Sequence, residues 1–148
     1  MAEGREQVLG DFGAAIESIG LALALLGAAY EELDERAGDE RETEIFRPVQ
    51  LAYGRAQRTH SEFASRFGLA GRSFETPSSG LPSQSANELI ARASDAAAEA
   101  DQAIAALQDS MLPIEVGDAE LRAGLTGVRE LLGDVPAKAR HLGRTVGR

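Results

Sequence analysis

The sequence predicts an all-α fold of four amphipathic helical segments packed as an antiparallel helical bundle, and three observations carry that expectation. Apolar residues recur at steps of three and four in four separate stretches, with no competing strand-like alternation. Segments rich in Gly, Ser and Pro separate those stretches. Apolar residues make up 43% and charged residues 26% of the 148, the balance of one globular domain long enough to bury a core.

The elements follow in chain order, with residues 1–148 read as a single helical domain. The first segment, about residues 5–36, carries Leu9, Phe12, Ile16, Ile19, Leu23, Leu26, Tyr30 and Leu33 on one heptad seam. A turn around Gly38 separates it from the second, about 41–68, with Phe46, Val49, Tyr53, Ala56, His60, Phe63 and Phe67 at the same steps. Residues 69–84 are rich in Gly, Ser and Pro and read as the one long loop. Ser85 followed by Glu88 is a capping-box signature for the third segment, about 85–112, whose seam runs from Ile90 through Ala97 and Ile104 to Met111. Pro113 and Gly117 stop that helix, and Asp118 caps the fourth, about 118–146, seamed from Leu121 to Val146. Pro48 and Pro136 fall inside periodic stretches and are expected to kink the second and fourth helices.

Ile19–Tyr30 is a run of twelve uncharged residues. At helical rise it covers roughly 18 Å against a hydrocarbon core of ~30 Å, so it reads as a packing helix and not a membrane span. The first residues lack a basic stretch followed by an apolar core, so no secretory signal is expected and the chain reads as cytoplasmic. Gly13, Gly20 and Gly27 share one heptad position beside the seam. Each costs about 1 kcal/mol relative to alanine, and what glycine offers in return is close approach of another helix. The third segment presents small residues to match, at Ala93, Ala96, Ala97, Ala100 and Ala103. Leu9, Phe12, Gly13, Ile16, Gly20, Leu23 and Gly27 therefore mark either tight packing of the first helix on the third within one chain, or a seam for a second copy in a homodimer.

Catalytic chemistry has no residue pattern behind it, so no enzymatic activity, metal or cofactor is expected. There is no cysteine and no tryptophan, and aromatic residues are 5% of the chain. A di-iron bundle needs Glu-x-x-His pairs, but Gln57 and Lys138 stand three residues before the two histidines, His60 and His141. Phosphate-cradling glycine loops, zinc-protease motifs and nucleophile elbows are all missing. His60 occupies a seam position where an apolar residue is the default. It reads as a core histidine bonded to a tyrosine or a backbone carbonyl, or alternatively as a pH switch or ligand contact.

Charge is segregated along the chain. Residues 1–46 sum to −9, 47–74 to +4, 75–116 to −6 and 117–148 to +2, for a net −9. One reading pairs the arginines of the second and fourth helices with acids of the first and third. The other gathers Arg47, Arg55, Arg58, Arg66, Lys138, Arg140, Arg144 and Arg148 into one positive face for an anionic partner. The net −9 argues against nucleic acid, whose binding is dominated by phosphate neutralisation. A local basic face can still meet an anionic membrane, at ~1 kcal/mol per near-surface base.

The order of features resembles the first half of BAR domains of the endophilin and sorting-nexin type. The resemblance covers roughly residues 9–67 and rests on Gly13, Gly20, Leu33, Asp34, Phe46, Pro48 and Val49: a small-residue helix closed by Leu-Asp, then a hydrophobic-x-Pro-hydrophobic kink. It implies a short antiparallel homodimer with the first helix near its centre, binding and shaping anionic membranes as a peripheral scaffold. This chain departs from that family in being short, acidic and poor in lysine. The other reading is a soluble four-helix-bundle adaptor or regulatory subunit acting through protein–protein contacts.

Overall fold

The computed structural model describes residues 1–33, 40–78 and 84–146. Those residues form α1 (Ala2–Leu33), α2 (Glu40–Arg66), α3 (Ala86–Asp109), α4 (Leu112–Glu115), α5 (Ala119–Leu132) and α6 (Val135–Val146), with no strand among them. The fold is an all-α helical bundle.

The seam of α1 is the centre of the core. Val8, Phe12, Ile16, Ile19, Leu25 and Leu26 are all fully buried, and side chains of this kind contribute about 1.5–3 kcal/mol each on burial. The chief partner of α1 is α3, whose Ala93, Ala96, Ala97 and Ala100 are buried against the core. Small side chains on that face let two helices come close without interlocking long residues. The next helix, α2, packs on both α1 and α5, while α6 returns to α3. By length and composition α1 could cross a membrane, since an 18-residue window reaches a mean hydropathy of 1.8, but 56% of that window is buried inside the protein. Core packing accounts for its apolarity.

Local chemistry marks several of the helix ends. Gly68 closes α2 at φ 66°, the left-handed conformation glycine adopts without a Cβ penalty. The amide of Leu69 then reaches back to the Ala64 carbonyl (2.8 Å) and that of Gly68 to Ser65 (3.2 Å), a Schellman closure. The hydroxyl of Ser85 accepts from the Glu88 amide (3.2 Å), and the Asp118 carboxylate from that of Leu121 (2.9 Å), as their positions predict.

Two boundaries differ from expectation. The third helix stops at Asp109, because Met111 takes φ 69° and turns the chain into the single turn α4 with Pro113 in its first positions. The fourth helix is not kinked but broken into α5 and α6. Pro136 is the second residue of α6, lacks an amide proton, and its ring would collide with the Leu132 carbonyl if the helix continued. Pro48 is tolerated within α2, which continues on both sides of it. Arg5 ties three elements together, its guanidinium 3.9 Å from the Phe67 ring centroid and its Nε donating to the Val116 carbonyl at 2.9 Å.

Candidate functional site

The glycine stripe of α1 does not face α3. A Cβ built on Gly20 would lie 3.1–3.2 Å from ring atoms of Tyr53 on α2, and one on Gly13 would lie 3.3 Å from Arg72 Nη1 and 3.7 Å from His60 Nε2. Gly27 has open space beside it, with no such atom within 4 Å. Two of the three glycines thus accommodate side chains arriving from α2 and from the segment after it, not a neighbouring helix backbone. Leu9, Phe12 and Ile16 are buried within the single chain, and Leu23 is half-buried. The tight α1–α3 contact is real, but it is built from alanines without these glycines.

The glycines that a close approach does require lie elsewhere, on α5. A Cβ at Gly124 would fall within 3 Å of three heavy atoms of the buried Thr59, and one at Gly127 would meet the Arg55 guanidinium, its Nε at 2.5 Å. Gly124-x-x-Gly127 is an i, i+3 pair on one helix face, a spacing visible in the sequence though shorter than the stripe on α1.

This packing redistributes the arginines. Arg55 lies against α5 and donates to the Ala123 carbonyl at 3.2 Å. Arg66 forks onto Asp118, Nε to Oδ2 at 2.5 Å and Nη2 to Oδ1 at 2.8 Å, so one aspartate both caps α5 and pins the end of α2. The Arg66 hydrogen bond holds the Asp118 carboxyl below its ordinary range, with partial desolvation opposing. Arg129 of α5 bonds Asp101 and Gln108 of α3, each at 2.9 Å. Arg47, Arg58 and Arg140 are exposed and Lys138 is half-buried; the Arg144 side chain and Arg148 lie outside the described residues. Of the eight basic residues, Arg55 and Arg66 are bonded to the α5 segment while remaining exposed. Exposed on α2 are Arg47, Leu51, Arg55 and Arg58, in steps of four, four and three along one side; Leu51 is 47% exposed.

His60 is the most confined polar group of the described chain. Its ring is 1% exposed, and Nε2 donates to the Leu9 carbonyl at 3.0 Å. A carbonyl only accepts, so that bond fixes the proton on Nε2 and leaves Nδ1 a bare lone pair, buried without a partner. Burial holds the imidazole below its ordinary titration range; the Leu9 bond opposes that shift and the nearby Arg72 charge reinforces it. The bond to a backbone carbonyl is one of the two partners expected of a core histidine. What the sequence did not reveal is the cover: residues 69–78 fold back over α1, with Phe74 edge-on to the His60 ring.

Between that cover and α1 runs a groove of about 690 Å³, lined by Ala14, Glu17, Ser18 and Leu21 on one side and Arg72, Phe74 and Pro77 on the other. Two of its charged groups are committed to each other, Arg72 being paired with Glu17 at 2.8 Å. Among the described residues no three His, Asp or Glu side chains cluster as a metal site. Comparison with protein-family models, with curated proteins and with solved structures gave no match.

Proposed function

We propose that the chain is a non-enzymatic helical-bundle module, an adaptor or regulatory subunit that acts through protein–protein contacts. The observation that carries this reading is the closure of the α1 seam within one chain, while the outer side of α2 offers Arg47, Leu51 and Arg58 to solvent. An apolar residue set among arginines suits a partner helix or loop bearing an apolar side chain among carboxylates.

The second reading, a BAR-like homodimer on an anionic membrane, is favoured by the same basic line. Magnitude separates the two. Arg47, Arg55, Arg58 and Arg140 supply about 4 kcal/mol at ~1 kcal/mol per near-surface base, equivalent to roughly millimolar binding for a single copy. Only a dimer doubling that contribution would hold a membrane firmly, and the net charge of −9 opposes even that.

Flotation with small and large anionic liposomes at low and moderate salt, alongside sedimentation equilibrium, decides between them. A monomer that stays at the bottom of the gradient is the expected result. A dimer that floats in a salt-sensitive way, better with small vesicles, and loses flotation in Arg55→Glu with Arg58→Glu, would replace the adaptor reading by the membrane scaffold.

A further inference from the structure

After the Gly68 turn, residues 69–78 cross back over α1 as a strap. Phe74 meets the His60 ring edge-on, with centroids 5.2 Å apart and planes at 88°. Arg72 lies over the Phe74 ring at 4.3 Å and is paired with Glu17 of α1 at 2.8 Å. Beneath the strap the imidazole is enclosed by Phe12, at 5.9 Å between centroids, and by the glycine surface of Gly13. A histidine with one nitrogen bonded and the other sealed from water tolerates the neutral state at the cost of one unsatisfied acceptor. Protonation turns that nitrogen into a buried donor with no acceptor and places a full charge in a site closed to water and near the Arg72 guanidinium.

We infer that the strap is an acid-released cover, in which protonation of His60 expels Phe74 and Arg72 and bares the Gly13 face of α1. The charges around the site are arranged for release. Arg72 and Glu75 lie on the strap, Asp11 and Glu17 on α1, and Arg58 and Glu62 on the same helix as His60. Of these, Arg72 acts on the ring and repels a second positive charge, and Glu17 is already committed to Arg72.

The closed state binds the proton less readily than an open state with a hydrated ring, so opening is favoured as pH falls below about 6.5, the ordinary histidine value. The open-to-closed ratio then rises up to about tenfold per pH unit until the closed-state histidine titrates as well. The strap suits such a device, since it is attached through a glycine turn and among its described residues contributes no helix. This inference stands apart from the proposed function and does not depend on either partner class.

The test is fluorine NMR of the full chain labelled with 4-fluorophenylalanine, which places one reporter at each of five phenylalanines. Phe74→Leu assigns the strap resonance. Between pH 7.5 and 4.5 the Phe74 line should move progressively toward a solvent-exposed position while those of Phe46 and Phe63 hold. The proton on His60 Cε1, followed in the same samples, should titrate with the same midpoint. His60→Gln should abolish the Phe74 shift. A Phe74 line indifferent to pH, a midpoint different from that of His60, or movement of all five lines together would overturn the inference. Should His60→Gln lose its helical circular dichroism, the wild-type coincidence of midpoints decides alone.

Discussion

Two chemically identical substitutions, Gly124→Ala and Gly27→Ala, should move stability in opposite directions. Both glycines are helical, so alanine contributes about 1 kcal/mol of helix propensity at each. At Gly27 nothing opposes that gain, because a Cβ would meet no heavy atom of another element within 4 Å. At Gly124 the added carbon would come within 3 Å of the branch atoms and the Cβ of Thr59. Thr59 is 9% exposed and β-branched, so it has neither the space nor the rotamers to withdraw. Overpacking of this kind costs about 1–3 kcal/mol. The two variants should therefore differ by about 1–3 kcal/mol, with Gly27→Ala the more stable. In urea, where a domain of this size loses about 1–3 kcal/mol per molar, their midpoints should separate by roughly 1 M at an unchanged slope. Equal shifts would refute the close α2–α5 approach. A Gly27→Ala that destabilises would mean that another surface, such as a second copy of the chain, occupies the space beside Gly27 in solution.

Gly20→Leu should destabilise by about 1–3 kcal/mol through its collision with the Tyr53 ring and leave the sedimentation profile unchanged; a change of oligomeric state would place the stripe at an interface between chains. The carboxyl of Asp118 titrates below its ordinary value, near 3.8, because Arg66 bonds its ionised form. The stability it contributes is therefore complete above that value and is lost as pH falls through the folded-state value. In Arg66→Ala the urea midpoint should fall less steeply below pH 4 than in the wild type, and parallel curves would dismiss the pair as a stabilising contact. Met111→Gly removes a left-handed strain of about 1–2 kcal/mol and adds about 0.4–1 kcal/mol of unfolded-state entropy. A net gain of up to about 1.5 kcal/mol should raise the thermal midpoint by a few degrees, and a drop would show that the Met111 side chain holds the α3–α4 corner.

The helices were legible in the sequence because their signals are periodic or local. Phe12, Ile16 and Ile19 repeat at the spacing that buries one helix face, and Ser85 and Asp118 announce helix starts through single hydrogen bonds. The break before Pro136 was read as a kink because proline forbids one hydrogen bond wherever it sits. Whether the helix runs on, as α2 does through Pro48, or ends depends on what the two halves pack against. Phe74 was invisible for a different reason: a lone aromatic in a Gly, Ser and Pro-rich stretch belongs to no period, and only the fold brings it onto His60. The glycines show a third limit. Three in register on α1 looked like the seam, yet need for close approach is set by the opposite surface, and the opposite surface of Gly124 and Gly127 is a buried threonine and an arginine from α2.

The pairing of α1 with α3, and not chiefly with the helix that follows it, also shapes how the chain is made. Leu33 ends α1, and the ribosome must add a further 76 residues before Asp109 completes α3. At roughly 5–20 residues per second that interval lasts about 4–15 s. Throughout it the most apolar helix of the protein has only α2 to lean on, and its alanine-matched face stays wet. The nascent chain thus passes through a half-built stage in which that face is exposed, and slowing translation between residues 34 and 109 would lengthen it.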